Sequence, residues 1–149
     1  MLDVGRNYMS VPFLKSVVRR LSHYKINVLH LHLSDDPGWR VEVKKYPELT
    51  VETSFWPTRQ PGKFYTQEDI KSICDFCDSL NIRVIPEIDM PGHSAAFRKA
   101  IGKDMQTPEG MQVLKEALDE IIPLFKDSLF HIGSDEVHFK MNVFMPLLI

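Results

Sequence analysis

The chain has 149 residues, 44% of them apolar and 26% charged, with 20 acidic against 18 basic side chains and a formal net charge of -2. This is the balance of an ordinary globular domain and excludes collagen, low-complexity disorder and a heptad-only rod. There is no basic excess or stripe of the kind that marks a nucleic-acid partner. No apolar run approaches the ~20 residues of a membrane span, and the first residues lack the basic and apolar regions of a signal peptide.

Taken in chain order, residues 2–5 are a short strand candidate. Ser10 can cap a helix carrying Phe13, Leu14, Val17, Val18, Leu21 and Tyr24 on one side. Residues 28–33 read as a strand, closed by the turn residues Ser34, Asp35, Asp36, Pro37 and Gly38. Residues 39–64 form a long proline-bearing excursion with at most small strands, such as 41–44. Thr66 caps the next helix, with Asp69 three residues on as a capping-box relative. Its stripe is Ile70, Ile73, Cys74, Phe76, Cys77 and Leu80, so the two cysteines read as small buried hydrophobes; a lone pair cannot complete a four-ligand zinc site. Asn81 is the expected stop. Residues 82–88 are the third strand. Thr107 and Pro108 start a third helix, with Val113, Leu114, Ala117, Leu118, Ile121 and Ile122 facing inward. Residues 129–133 are the fourth strand. There is no internal repeat and no interdomain linker.

Strand–helix alternation predicts βαβ units and a parallel sheet. Side-chain parity says more. Leu29, Leu31 and Leu33 share one strand face, and His30 and His32 the other. Ile85, Glu87 and Asp89 share a face of the third strand, and Phe130 and Ile132 oppose His131 and Gly133 on the fourth. One face suits covering helices, while the other turns polar toward the C-terminal ends. A barrel with its site at that rim explains this, whereas a doubly wound sheet wants both faces apolar. A complete TIM (β/α)8 barrel takes roughly 250 residues. The expectation is therefore about half a barrel, strands in order 1-2-3-4, with three helices on the convex side.

Every strand end delivers ionisable groups: Arg6; Asp35 and Asp36; Asp89 and His93; Asp135 and Glu136. Buried acids and histidines cost several kcal/mol unless paired. Four such ends on the side where parallel α/β folds bind ligands form a candidate site. His30, His32 and His131 read as satisfied interior histidines.

The residues now carry a resemblance. Leu29-His30-Leu31-His32-Leu33-Ser34-Asp35-Asp36, then Gly38-Trp39-Arg40, resembles the second-strand motif of family 20 glycoside hydrolases, the β-N-acetylhexosaminidases. Pro86-Glu87-Ile88-Asp89-Met90-Pro91-Gly92-His93 resembles their third-strand motif, and His131-Ile132-Gly133-Ser134-Asp135-Glu136 their catalytic fourth. Leu2-Asp3-Val4, with Arg6 and Tyr8, resembles the first. The resemblance implies hydrolysis of terminal N-acetylglucosamine or N-acetylgalactosamine from glycans, without cofactor or metal, by substrate-assisted retention. It implies that Asp135 holds the acetamido nitrogen, that Glu136 is the general acid, and that Arg6 grips the sugar hydroxyls. It implies that Asp35, Asp89 and His93 support the acid. General acid work near neutral pH asks for a carboxyl that keeps its proton, which partial burial favours. Trp39 and Trp56 are expected to pack the excursion rather than stack on sugar.

There are departures. Asn7 stands where the family commonly has His, and Gly133-Ser134 where it has Gly-Gly; a serine there needs an allowed backbone angle. After Val137 the resemblance stops. The expected division is a partial catalytic domain at 1–137 and a divergent tail at 138–149. The later strands that wall the family's acetamido pocket have no counterpart here, so the chain alone is expected to be inactive, with open edges that invite self-association. The family implies a lysosomal, secreted or membrane-associated setting. The alternatives are a non-catalytic product and a metal-dependent amidohydrolase built on His30, His32, His93 and Asp135.

Overall fold

The alternation read between residues 28 and 33 becomes a five-residue strand whose leucines, Leu29, Leu31 and the flanking Leu33, are buried against helices. The computed structural model describes residues 1–137. Its strands are β1 (Leu2–Asp3), β2 (Val28–His32), β3 (Ser34–Asp35), β4 (Gly38–Trp39) and β5 (Arg83–Glu87). Its helices are α1 (Val11–His23), α2 (Gln67–Asp78), α3 (Ala95–Ile101) and α4 (Pro108–Ile121). The expected tail at 138–149 lies outside the described residues.

The sheet order is β1-β2-β5, all parallel, with Asp3 opposite His32 and His32 opposite Glu87. Beyond β5, His131 forms a parallel bridge to Glu87. Its N–H donates to the Pro86 carbonyl at 2.9 Å, and its own carbonyl accepts from Ile88 N–H at 3.2 Å. The expected order of four parallel segments therefore holds. The fourth strand itself is reduced to this bridge. Leu129 and Ile132 are about half exposed, because no further strand flanks them among the described residues.

α1 buries Leu14 and Val18 against the sheet. Phe13, expected on that face, is 55% exposed, and Tyr24 lies beyond the helix end in solvent. The buried row is the narrower i, i+4 pair. α2 begins with the expected capping box: the Thr66 hydroxyl accepts from Asp69 N–H and the Asp69 carboxylate from Thr66 N–H, both at 3.0 Å. It ends before Asn81, whose φ of 54° is the left-handed stop. Cys74 and Cys77 are buried free thiols, pushed by burial to pKa values of about 12 and about 11. Neither offers a reactive thiolate. α4 starts where Thr107 accepts from Gly110 N–H at 3.1 Å. Ile122, expected inside, enters a 3-10 turn and is exposed.

Sequence periodicity missed α3. Seven residues give too few turns to show a 3.6-residue period, and Ser94 makes no side-chain cap. The expected turn at 34–38 is a tight antiparallel hairpin, β3 with β4. Gly38 is required there, since a Cβ would meet the Phe55 ring at 2.5 Å. In place of a strand at 41–44 there is one bridge, Val41 to Tyr65. Trp39 packs the excursion as expected, buried near Phe97 and donating to the Val41 carbonyl at 2.8 Å.

Arg40 pins this excursion to the barrel. It is completely buried and donates to the carbonyls of Val4, Gly5, Gln60, Lys63 and Arg59 at 2.7–3.2 Å. Its guanidinium lies 4.7 Å from the Phe55 ring centroid. Burial lowers its pKa to about 10. No helix among the described residues is long and apolar enough to cross a membrane.

Candidate active site

Arg6 follows β1 and is aimed by two carboxylates. Its backbone N–H and Nη1 donate to Asp3 at 2.8 and 3.1 Å, and Nη2 lies 3.0 Å from Asp35 Oδ2. Asp35 is 2% exposed, while Arg6 keeps nearly half its surface in solvent. The guanidinium is thus held through both terminal nitrogens, each of which has a second N–H to offer a ligand.

Behind Asp35 lies a row of histidines and one acid. His32 Nε2 is 2.9 Å from Asp35 Oδ2, and His32 Nδ1 is 2.8 Å from Glu87 Oε2. Glu87 also meets His30 Nε2 at 2.7 Å and His131 Nδ1 at 3.1 Å. Burial works against charge on His32, but the two carboxylates outweigh it and raise its pKa to about 9. Asp35 and Glu87 are held below the usual carboxylate range: burial opposes this, and hydrogen bonds from His32 prevail. His30 and His32 are satisfied by carboxylates, as the sequence suggested; His131, expected to be interior, is half exposed, and its Nδ1 accepts from Gly133 N–H at 3.0 Å. Glu87 was not among the expected site residues, although its face parity with Asp89 was the available signal.

The acidic end is assembled differently. Asp89, 1% exposed, accepts from Ser134 N–H at 3.1 Å and meets His93 Nδ1 at 2.7 Å. His93 Nε2 then meets Glu136 Oε2 at 3.1 Å, and Asp135 Oδ2 is 3.8 Å from Nδ1. Burial tends to lower the His93 pKa, but Asp89 and Glu136 leave it raised. Gly133 is obligatory: its φ is 65°, and a Cβ would sit 1.9 Å from Asp89 Oδ1. Ser134 and Glu136 also have positive φ, 84° and 51°. Instead of the expected partial burial, the side chains of Asp135 and Glu136 are 67% and 81% exposed. A cleft of about 620 Å³ is lined by Asp36, His93, Glu136 and Val137.

The structure therefore brings Arg6, Asp35, Asp89, His93, Asp135 and Glu136 to one rim. A buried acid–histidine pair can hold and tune the outer carboxylate, and a guanidinium can take adjacent hydroxyls. Three groups place ligand-type atoms close enough for a metal ion: His30, Glu87 and His131; Asp3, His32 and Asp35; Asp89, His93 and Asp135. One histidine–carboxylate hydrogen bond anchors each group: His30 with Glu87, His32 with Asp35, and His93 with Asp89.

Comparison with known proteins bears on this rim. The profile of "Glycosyl hydrolase family 20, catalytic domain" matches residues 1–108. A beta-hexosaminidase of Vibrio furnissii is 36% identical over 92% of this chain and 28% of its own length. A beta-hexosaminidase of Porphyromonas gingivalis is 36% identical over 91% of this chain and 21% of its own. The crystal structure of an exo beta-N-acetylglucosaminidase from Vibrio harveyi in complex with N-acetylglucosamine superposes with a TM-score of 0.84, at 35% identity, over 92% of this chain and 27% of that one. The chain spans about a quarter of the length of these relatives.

Proposed function

Because the chain belongs to glycosyl hydrolase family 20, we propose that residues 1–137 are the first half of the catalytic barrel of a β-N-acetylhexosaminidase acting on glycans that end in N-acetylglucosamine or N-acetylgalactosamine. The observation that carries this reading is the adjacent pair Asp135 and Glu136 at the rim, with Glu136 tied through His93 to buried Asp89.

The chemistry follows from those positions. Arg6 takes two adjacent hydroxyls of the non-reducing sugar. The substrate's own acetamido oxygen attacks the anomeric carbon and forms an oxazoline, so no enzyme nucleophile is required. Asp135 binds the acetamido N–H and stabilises the positive charge that develops there. Glu136 gives its proton to the leaving oxygen and later takes one from the attacking water. His93 and Asp89 orient it, and Asp35 holds Arg6.

With Asp135 and Glu136 so exposed, the described residues do not by themselves enclose a sugar, and the chain spans about a quarter of the length of its relatives. Its open edges support self-association, which sedimentation at increasing concentration measures. The test of function is a chromogenic N-acetylglucosaminide assay on this chain beside a version extended with the later strands of a relative. In the extended protein, Glu136→Gln should cost ~10²–10⁴-fold on substrates with poor leaving groups and far less on activated ones. Asp135→Asn should slow both kinds. Equal loss on both with Glu136→Gln, together with a silent Asp135→Asn, overturns the role assignment.

A further inference from the structure

We propose that His32 is a positioning residue for Arg6: an imidazolium, charged at neutral pH and clamped between Glu87 and Asp35, which fixes the Asp35 oxygen that helps to aim the Arg6 guanidinium. The functional meaning of this strut rests on the proposed role of Arg6 in holding the sugar.

Three observations converge on it. First, both ring nitrogens face carboxylate oxygens, Nδ1 at 2.8 Å from Glu87 Oε2 and Nε2 at 2.9 Å from Asp35 Oδ2. A neutral imidazole has one donor and one lone pair. It would press that lone pair against an anionic oxygen in a site 6% exposed. With Asp35 and Glu87 both held below the usual carboxylate range and so ionised, only the doubly protonated ring satisfies both contacts. Second, the oxygen His32 holds is the one Arg6 uses: Asp35 Oδ2 is also 3.0 Å from Arg6 Nη2. The other Asp35 oxygen is taken by the backbone N–H of Asp36 at 2.6 Å. The carboxylate therefore has no spare rotation, and removing His32 frees one side of it. Third, the strand register puts Asp3, His32 and Glu87 in one row across β1, β2 and β5. Asp3 is the second carboxylate on Arg6. The His32 carbonyl accepts from Val4 and Gly5 N–H at 3.2 and 3.0 Å, so the backbone just before Arg6 hangs on the same residue.

The charges facing His32 are Asp3 from β1, Asp35 from β3, Glu87 from β5, and Arg6, with His30 on the far side of Glu87. Against three carboxylates stand two cations when His32 is protonated and one when it is not. The raised pKa of His32, about 9, agrees with the geometry. His32 has no route to a sugar from this depth; it acts through Asp35.

The test uses this chain as it stands and reads no turnover, so it fails or succeeds independently of the hexosaminidase reading. Carbon- and nitrogen-detected NMR of the unmutated chain reports the His32 ring protons and the order of the Arg6 guanidinium. Arg83, held by Asp127 through two contacts of 2.6 and 2.9 Å, is the internal control. The expected result at pH 7.5 is a doubly protonated His32 ring and an Arg6 order parameter in the rigid range, about 0.8. As pH rises through about 9, His32 should lose a proton and Arg6 should fall below about 0.6, with Arg83 unchanged. His32→Gln should release Arg6 already at pH 7.5, again with Arg83 rigid. A singly protonated His32 at pH 7.5 overturns the proposal. So does an Arg6 that stays rigid after His32 deprotonates, or in a folded His32→Gln chain. If His32→Gln unfolds, the pH series on the unmutated chain still decides.

Discussion

The rim contains two acid–histidine–acid chains, and they differ in how completely they are built. In one, His32 lies between Glu87 and Asp35, each member under 7% exposed and each on a paired strand or hairpin. In the other, His93 joins buried Asp89 to an exposed Glu136, which sits on a turn with positive φ. The first chain is closed by three registered strands. The second is closed on one side only, by the bridge at His131, the Met90 N–H bond to the Ile132 carbonyl, and hydrogen bonds from Ser134 to Asp89 and to the Met90 carbonyl. The same chemistry is buried where backbone pairing surrounds it and exposed where, among the described residues, the pairing runs out. Changes on the closed side should therefore lower global stability, and changes on the open side should act locally.

The largest effect is expected at Arg40, which holds the end of β1 in place under Arg6. Arg40→Met keeps much of the volume but leaves five carbonyls without their donor, those of buried Val4 and Gly5 and of the outer residues Arg59, Gln60 and Lys63. Leaving a buried acceptor without its donor costs about 1–3 kcal/mol, and Val4 and Gly5 each lose theirs. Thermal unfolding should shift down by on the order of 10 °C. A shift within a degree or two shows that the excursion is not held this way.

The closed chain also has a pH signature. His32 is raised above its unfolded value, so its contribution is fully present below about pH 6.5 and disappears as pH rises through about 9. At one pKa unit per 1.36 kcal/mol, the loss over that window is up to about 3 kcal/mol. Asp35 and Glu87 act oppositely. Their pKa values are lowered, so their contribution holds above the ordinary carboxylate range and is lost as pH falls below it. Denaturant midpoints from pH 5 to 10 should fall on the alkaline side, and His32→Gln should flatten that fall. An alkaline limb unchanged in His32→Gln assigns it to other groups.

On the open side, Gly133→Ala places a Cβ on Asp89 Oδ1 at a φ that disfavours side chains. Asp89 must move, and its contacts to Ser134 and His93 break together. The amides of residues 131–137 should lose at least about tenfold in hydrogen-exchange protection, near 1.4 kcal/mol, while β2 and β5 keep theirs. Equal loss throughout removes the distinction between the two sides.

This contrast also explains what the sequence made legible. Parity in residues 28–33 and 82–88 placed the leucines inward and the histidines on the polar face, because a paired parallel strand enforces period 2. Caps at Thr66 and Thr107 and the stop at Asn81 were local chemistry and came out as read. The seven-residue α3, the hairpin at Ser34–Asp35 and the exposure of Phe13 and Ile122 did not, since each depends on what packs against it. Position and motif singled out Asp35, Asp89 and His93, and the fold brings all three to the rim. Glu87 was not singled out because its importance lies in touching three histidines on two other segments. Arg40 looked like one charge in a motif, and only the fold shows it bonded to five carbonyls.

The smallest predicted effect tests the open side most finely. Ser134 holds a φ of 84°, where a side chain costs about 1 kcal/mol that glycine does not. Its hydroxyl offsets part of this by donating to the Met90 carbonyl at 3.1 Å, an exposed bond worth about 0.5 kcal/mol. Ser134→Ala loses the bond and keeps the strain, so exchange protection of 133–137 should fall about twofold. Ser134→Gly loses the same bond but relieves the strain, and should come out level with the unmutated chain or slightly above it. The separation between the two variants, about 1 kcal/mol or roughly fivefold in protection, is the backbone contribution alone. If alanine and glycine behave identically, the turn before Asp135 is not strained, and the exposure of the acidic end comes only from its missing strand neighbour.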